Sequence, residues 1–255
     1  ESEIKSRLHT GWAGKNLIFH PVTGSTNIDA KAAAEEGAPE GTLVVTERQD
    51  AGRGRRGRGW FSPEGCNLYF TILLRPGCAP DQACTLTLVM ALAVAQAVRE
   101  LGLDVGIKWP NDVVIAGKKV CGILTEASFD VEIGTGMNVN QEAFPEEIAG
   151  TATSLRIEKG ERIARAGLLA SVMAHFESAY ETFCATWDLS GLAADYESLL
   201  LNKDRPVRVL DPKGNFEGTA RGINEKGELL VERQDGRLEY VYAGEVSVRG
   251  VYGYV

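Results

Sequence analysis

"GIKWPNDVVIAGKKVCGILTEASFDVEIGTGMNVN" spans residues 106–140 and decides the fold class. It divides into four short β-branched runs, 106–110, 112–117, 119–128 and 131–140, with turn residues and no helix between them. Pro110 fixes the first turn, and Gly117–Lys118 predicts a hairpin joining the second run to the third. Upstream, 24–37 reads as a helix with Ser25 or Thr26 at its start and Gly37 at its end. The runs 41–48 and 67–76 read as strands, and 80–102 as a buried helix. Downstream, 161–183 places apolar residues on one helical face, and 188–200 reads as a further helix. Strands and helices mix without regular βαβ alternation. The expectation is an α+β fold, with helices on one face of a mixed, mostly antiparallel sheet. A Rossmann fold is disfavoured: "GRGRRG" (52–57) has the GxGxxG form but does not open a helix, and no GxxxxGK[ST] occurs.

The pattern changes after residue 202. Five short strands follow, punctuated by Asp211-Pro212-Lys213-Gly214, Asn224-Glu225-Lys226-Gly227 and Gln234-Asp235-Gly236. This reads as a small all-β barrel over 203–255, after a first domain over 1–202.

Composition is that of an ordinary globular chain: 255 residues, 44% hydrophobic and 24% charged, with net charge −8. No run of eighteen apolar residues occurs, so no membrane partner is expected. The five cysteines are odd in number and lack CxxC spacing, which disfavours a disulfide framework or a structural zinc site and fits a reducing cytoplasm. His9, His20 and His175 show no ligand spacing.

On this acidic chain, "AGRGRRGRGW" (51–60) concentrates four arginines among four glycines. Glycines let backbone N–H groups approach an anion, and arginines supply permanently charged forked donors. The glycines also predict a loop that is disordered on its own. A nucleic-acid tail is one reading, but such binders show a broad basic face, and here the positive charge is local. The other reading is a loop folding over a ligand's phosphate. Trp60 closes over the apolar part of a ligand or anchors the loop to the core. Further polar clusters are "GSTN" (24–27), "KWPND" (108–112) and "GTGMNVN" (134–140). Trp109 reads as core, and Lys108, Asn111 and Asp112 fall at a strand break, where sites gather. Lys119, beside the apolar "VCGIL", must find an anion or reach water, whereas Lys118 reads as an exposed turn residue.

Taken in order, "GSTN", "QDAGRGRRGRGWFSP", "NLYFTILLRP", "KWPNDVVIAGKKVCGILTE" and "GMNVN" closely resemble the biotin protein ligases (biotin–[acetyl-CoA-carboxylase] ligases). The resemblance covers nearly the whole chain. It implies a catalytic domain like the core of class II aminoacyl-tRNA synthetases, followed by an SH3-like barrel. It also implies biotin and ATP as substrates, with Mg²⁺ as the ATP counter-ion and no assigned protein ligands. Biotinyl-5′-AMP would form first, and biotin would pass to a lysine of a biotin carboxyl carrier protein domain. Both nucleophiles come from substrates, so the chain needs no catalytic nucleophile of its own.

By motif, the resemblance implies that Ser25, Thr26, Asn27 and Gln49 meet the biotin ring. Gly52, Arg53, Gly54, Arg55, Lys119 and Gly122 complete the biotin set. Arg55, Arg56, Arg58, Trp60, Asn111 and Asn138 form the nucleotide set. Lys119, Arg55 and Asp112 carry the catalytic roles, Asp112 by orienting the acceptor lysine. A homodimer through sheet edges is also implied. The family's repressor members carry an N-terminal winged helix. This sequence begins near the catalytic domain, so DNA binding is not expected. Family members place a longer hairpin between "ASFD" and "VEIG": either the chain has a deletion there or residues are missing between Asp130 and Val131, and the second is expected because a lost strand would leave an unpaired sheet edge. Rival readings are a lipoate ligase of the same superfamily and a catalytically silent biotin or adenylate sensor.

Overall fold

The computed structural model describes residues 1–244 and 246–250. Seven strands form the first sheet: β1 (Leu17–Thr23), β2 (Leu43–Gln49), β3 (Leu68–Leu74), β4 (Val105–Lys108), β5 (Asp112–Ile115), β6 (Lys118–Ala127) and β7 (Val131–Met137). Their spatial order is β1-β2-β3-β7-β6-β5-β4. Only β1 and β2 run parallel, and every other pairing is antiparallel. The chain passes straight from β4 through β7 along one flank of the sheet, because its turns are too short to admit a crossover. The β5–β6 turn falls at Ala116 and Gly117, both at positive φ, one residue before the predicted position.

The helices are α1 (Ser2–Arg7), α2 (Thr26–Glu35), α3 (Pro80–Ala83), α4 (Leu86–Arg99), α5 (Glu146–Ala149), α6 (Leu155–Lys159), α7 (Arg165–Thr186) and α8 (Ala193–Leu199). The predicted helix over 80–102 is interrupted between α3 and α4. Segment Pro80–Arg99 is long and apolar enough, by composition alone, to cross a membrane. Its burial accounts for that: α4 is buried on nearly every side, packed against β4–β7 and α7.

The expectation of helices on one face requires correction. Phe70, Ile72 and Leu74 of β3 join the core beneath α4 and α7. Thr71, which points the other way, donates to Asn27 Oδ1 (2.7 Å) and is hydrogen-bonded to the Thr26 hydroxyl (2.8 Å), both on α2. Side chains alternate along a strand, so α2 lies across the opposite face. At Asp130–Val131, where a lost strand would leave an unpaired edge, the described strands close without one. Ala127 pairs with Val131, the Ser128 N–H donates to the Asp130 carbonyl (2.9 Å), and β6 lies directly beside β7.

The second sheet contains β8 (Pro206–Leu210), β9 (Phe216–Ile223), β10 (Leu229–Glu232), β11 (Leu238–Val241) and β12 (Ser247–Gly250), in the order β11-β10-β9-β8-β12. All its pairings are antiparallel. Val207, Val209, Ala220, Leu229 and Val231 form its buried side. Its β9–β10 turn is held by the first unit: the Trp109 indole N–H donates to Gly227 O (3.0 Å), and the Thr85 hydroxyl donates to Lys226 O (3.2 Å).

Candidate active site

The arginine–glycine stretch is an ordered hairpin, not the disordered loop expected from its glycines. Arg53 bridges Gly59 in antiparallel fashion, the Gly54 N–H donates to Arg58 O (2.7 Å), and the Trp60 N–H donates to Gly52 O (2.8 Å). Side chains anchor it on two sides. Arg53 pairs with Glu126 (3.0 Å). Arg55 donates to Asn111 Oδ1 (3.2 Å) and to the carbonyls of Ala243 (2.5 Å), Gly244 (2.7 Å) and Val246 (3.1 Å). These bonds offset the entropy that the glycines would otherwise retain. Burial pushes the Arg55 guanidinium below its ordinary value, while the charge of Asp112 opposes that shift.

Two cavities meet beneath this hairpin. The smaller, about 40 Å³, lies on the α2 face of the sheet. Ser25, at the start of α2, lines it together with Thr26, Asn27 and Gln49. Ser25 makes no side-chain cap bond. Gln49, at the end of β2, accepts from the Thr26 N–H (3.0 Å) and donates to the Ser62 hydroxyl (3.2 Å). Asn27 donates to Glu126 (2.8 Å). Arg53, Gly54, Arg55, Lys119 and Gly122 complete the lining from the expected biotin set. Gly52 does not line the cavity. It accepts the Trp60 N–H at the base of the hairpin, and an added Cβ there would lie 2.7 Å from Trp60 O.

The larger cavity, about 320 Å³, runs between the hairpin, the β4–β5 turn and β12. Arg55, Arg56, Arg58, Trp60, Asn111 and Asn138 all line it, as do Lys119 and Asp112. The Lys119 ammonium lies 2.6 Å from Asp112 Oδ1, which supplies the anion its position requires. Asn111 and Asn138 are fixed by donating to the carbonyls of Ile123 (3.1 Å) and Thr153 (3.1 Å).

Gly54, Arg55, Trp60, Asn111 and Lys119 belong to both cavities, so they mark the junction. Trp60 sits across it with its ring centroid 5.2 Å from the Lys119 ammonium. The ring fits because Gly122 and Gly136 lack side chains: an added Cβ at Gly122 would lie 2.7 Å from the indole, and one at Gly136 would overlap it. Among the described residues, the lining of the larger cavity carries the cationic side chains Arg55, Arg56, Arg58, Lys108, Lys119 and Arg249 and the carboxylate of Asp112. Such a wall suits a polyanion. Among the described residues no group of three or more His, Cys, Asp or Glu is placed to hold a metal.

Several lining residues had no role in the sequence reading: Phe144, Ile148, Ser247 and Arg249. Lys108 was placed at a strand break where sites gather, but in neither the biotin nor the nucleotide set. Arg249 is brought in from the second sheet, and nothing near it in sequence marks it.

Residues 19–138 match the Biotin/lipoate A/B protein ligase family, and residues 204–249 match the Biotin protein ligase C terminal domain. The chain is 40% identical to the bifunctional ligase/repressor BirA of Bacillus subtilis (strain 168) over 257 residues, covering 97% of this chain and 78% of that protein. It is 36% identical to the biotin–[acetyl-CoA-carboxylase] ligase of Mycobacterium tuberculosis over 247 residues, covering 93% of this chain and 90% of that protein. The solved structure of biotin protein ligase from Aquifex aeolicus in complex with biotin and ATP matches it with TM-score 0.82 at 34% identity, covering 92% of this chain and 99% of that one. Both the site-bearing sheet and the second sheet fall within these matches, and the chain belongs to the biotin protein ligase family.

Proposed function

We propose that this chain is a biotin–[acetyl-CoA-carboxylase] ligase that makes biotinyl-5′-AMP and passes biotin to a lysine of a carrier domain. The observation that carries this reading is the junction: a small cavity, lined at the α2 end by the neutral polar groups of Ser25, Thr26, Asn27 and Gln49, opens onto a larger cationic one at Arg55, Asn111 and Lys119. Biotin is a neutral bicycle with a carboxylate tail. Its ring suits Ser25, Thr26, Asn27 and Gln49, and its carboxylate would then emerge at Lys119 and Arg55.

In the first step a carboxylate oxygen attacks the α-phosphorus of ATP, and the bond to pyrophosphate breaks. Lys119 and Arg55 stabilise the charge that builds between the two reactants, and the cavity walls hold them in line. In the second step the acceptor amine attacks the activated carbonyl and AMP leaves. Asp112 faces the same cavity and orients the incoming acceptor lysine, which attacks as the free amine. Asn111, Asn138, Trp60, Arg56 and Arg58 serve the nucleotide. Mg²⁺ enters as part of the MgATP substrate, carried by phosphate and water oxygens.

The reading extends to the rest of the molecule. Residues 1–202 are a catalytic domain of the class II aminoacyl-tRNA synthetase type, and the second domain, drawn over 203–255 with its last five residues outside the described ones, is an SH3-like barrel. The free state of all five cysteines supports a cytoplasmic setting. A homodimer would use an outer strand such as β1, which ends the sheet and exposes Val22.

Biotin-dependent ATP–pyrophosphate exchange tests the reading. Exchange with biotin supports it. Exchange with lipoate alone moves the chain to the sister activity. Tight biotin binding without exchange makes it a sensor.

A further inference from the structure

One carboxylate joins two walls of the small cavity. Glu126 of β6 accepts from the Asn27 amide of α2 (Oε2, 2.8 Å) and from the Arg53 guanidinium of the hairpin (Oε2, 3.0 Å; Oε1, 3.2 Å). Asn27 and Arg53 line that cavity, and Glu126 stands behind them, outside the lining of both cavities. The Asn27 amide is held in one sense. Its Nδ2 faces two acceptors, Glu126 Oε2 and Leu124 O (3.3 Å), and its Oδ1 accepts from Thr71 (2.7 Å). A flipped amide would turn its oxygen on a carboxylate and a carbonyl. Asn27 is buried and sits close on the sheet, where an added Cβ at Gly134 would overlap its Oδ1.

Charge draws the hairpin to the same point. Glu132 of β7 stands directly across from Glu126 and is buried. Burial pushes its carboxyl up and the charges of Asp130 and Glu126 add to that, while a backbone hydrogen bond and Lys31 of α2 oppose it. Asp130 is paired with Arg75 (2.8 Å). Like charges opposed across a strand pair repel, so Arg53 closing on Glu126 relieves that repulsion. We propose that Glu126 is a positioning residue that couples ring binding to hairpin closure. It holds the Asn27 amide in the sense that lines the small cavity, and it holds Arg53 across the same cavity. A ring that favours this sense of Asn27 also favours the Glu126 position that Arg53 needs. By linkage, the closed hairpin favours the ring to the same degree. This rests on the reading of the small cavity as the ring site, and adds to it a group that touches neither substrate.

The probe is biotinol, which keeps the biotin ring and carries an alcohol in place of the carboxylate. A hairpin response to it therefore does not come from a carboxylate gripped by Arg55 or Lys119. Trypsin cleavage after Arg55, Arg56 and Arg58 is followed by mass spectrometry in the full chain, with and without biotinol at calorimetrically verified saturation. In wild type, biotinol should slow this cleavage about tenfold. In Glu126→Gln and in Arg53→Met it should still bind but slow cleavage by less than about twofold, and the double variant should match either single one. A Glu126 that served stability alone would raise the rates with and without biotinol by the same factor, leaving their ratio as in wild type. In pyrophosphate exchange, Glu126→Gln should raise the KM for biotin about tenfold and leave the KM for ATP within about twofold.

Lack of protection by biotinol in wild type, a wild-type protection ratio in Glu126→Gln, or equal rises in both KM values overturns the proposal. If Glu126→Gln fails to fold, Arg53→Met decides: protection retained in that variant overturns it equally. Absence of both biotin binding and biotin-dependent exchange in wild type would instead remove the functional reading on which the proposal stands.

Discussion

At Gly136 an added methyl group would run into the Trp60 indole, and at Gly122 it would lie 2.7 Å from the same ring. Trp60 is confined on one side by this sheet surface and on the other by the Lys119 ammonium. Gly136→Ala should therefore displace the indole and weaken biotin and nucleotide binding together, by tenfold or more in fluorescence titration. Retention of both affinities would show that Trp60 can shift at little cost. Lys119 stands at the junction of the two cavities, so its removal acts on the transition state rather than on one substrate. Lys119→Ala should cut exchange by about 2–4 kcal/mol, roughly 30- to 1000-fold, with the loss mainly in kcat. A change confined to the KM for ATP would move Lys119 out of the reacting centre. These single residues were legible because chemistry demands particular side chains at particular turns. The partner of Lys119 was not: Asp112 is seven positions away and reaches it only through the β5–β6 pairing.

Elements are tied together by polar contacts between segments distant in sequence. Glu177 of α7 accepts three backbone N–H groups from the loop before β1: Gly11 (2.7 Å), Trp12 (2.8 Å) and Ala13 (2.9 Å). Burial disfavours its charge, but the three donors outweigh burial and hold its carboxyl below the ordinary value. A carboxylate lowered in the folded state binds fewer protons there than in the unfolded chain. Its stabilising contribution is complete above the unfolded value of 4.5 and is lost as pH falls through the folded one. Glu177→Gln should cost about 1–3 kcal/mol at pH 7 in urea melts, and the difference from wild type should shrink towards pH 3. A constant difference across that range would mean the charge is irrelevant to the contact. The placement of α2 belongs to this scale too. Its sequence predicts a helix without saying which face of the sheet it covers. Thr71 decides that, because its hydroxyl bonds Thr26 and Asn27 while its neighbours Phe70 and Ile72 turn to the core. β1 escaped the sequence reading because Pro21 sits in it, and its place at the end of the sheet is where a proline is tolerated.

Across the whole molecule, the two sheets are joined at the site and behind it. Trp109, fully buried, donates its indole N–H to Gly227 O, and its own N–H to Asn202 Oδ1 (2.8 Å). The Leu189 N–H donates to Glu225 O (2.7 Å). With the bonds to Gly227 and Glu225 crossing between the units, heat should unfold the chain in one transition. Trp109→Phe, which leaves the Gly227 carbonyl unpaired, should cost about 1–3 kcal/mol. That amounts to roughly 2–4 °C of Tm per kcal/mol for a chain of this size. Two separated transitions in the wild type would show that the units unfold independently. The sequence by itself determined the elements and the kinds of chemistry on offer: periodicity and turn residues mark strands and helices locally, and clusters such as "GSTN", "GRGRRG" and "KWPND" name their donors and charges wherever they fold. Only the tertiary structure decided which face carries the site, which carboxylate meets Lys119, and that β12 brings Arg249 to the same cavity as Lys108. The physical reason is range: propensity and patterning act over a few residues, whereas charge balance and burial depend on groups that chain topology brings together from far apart.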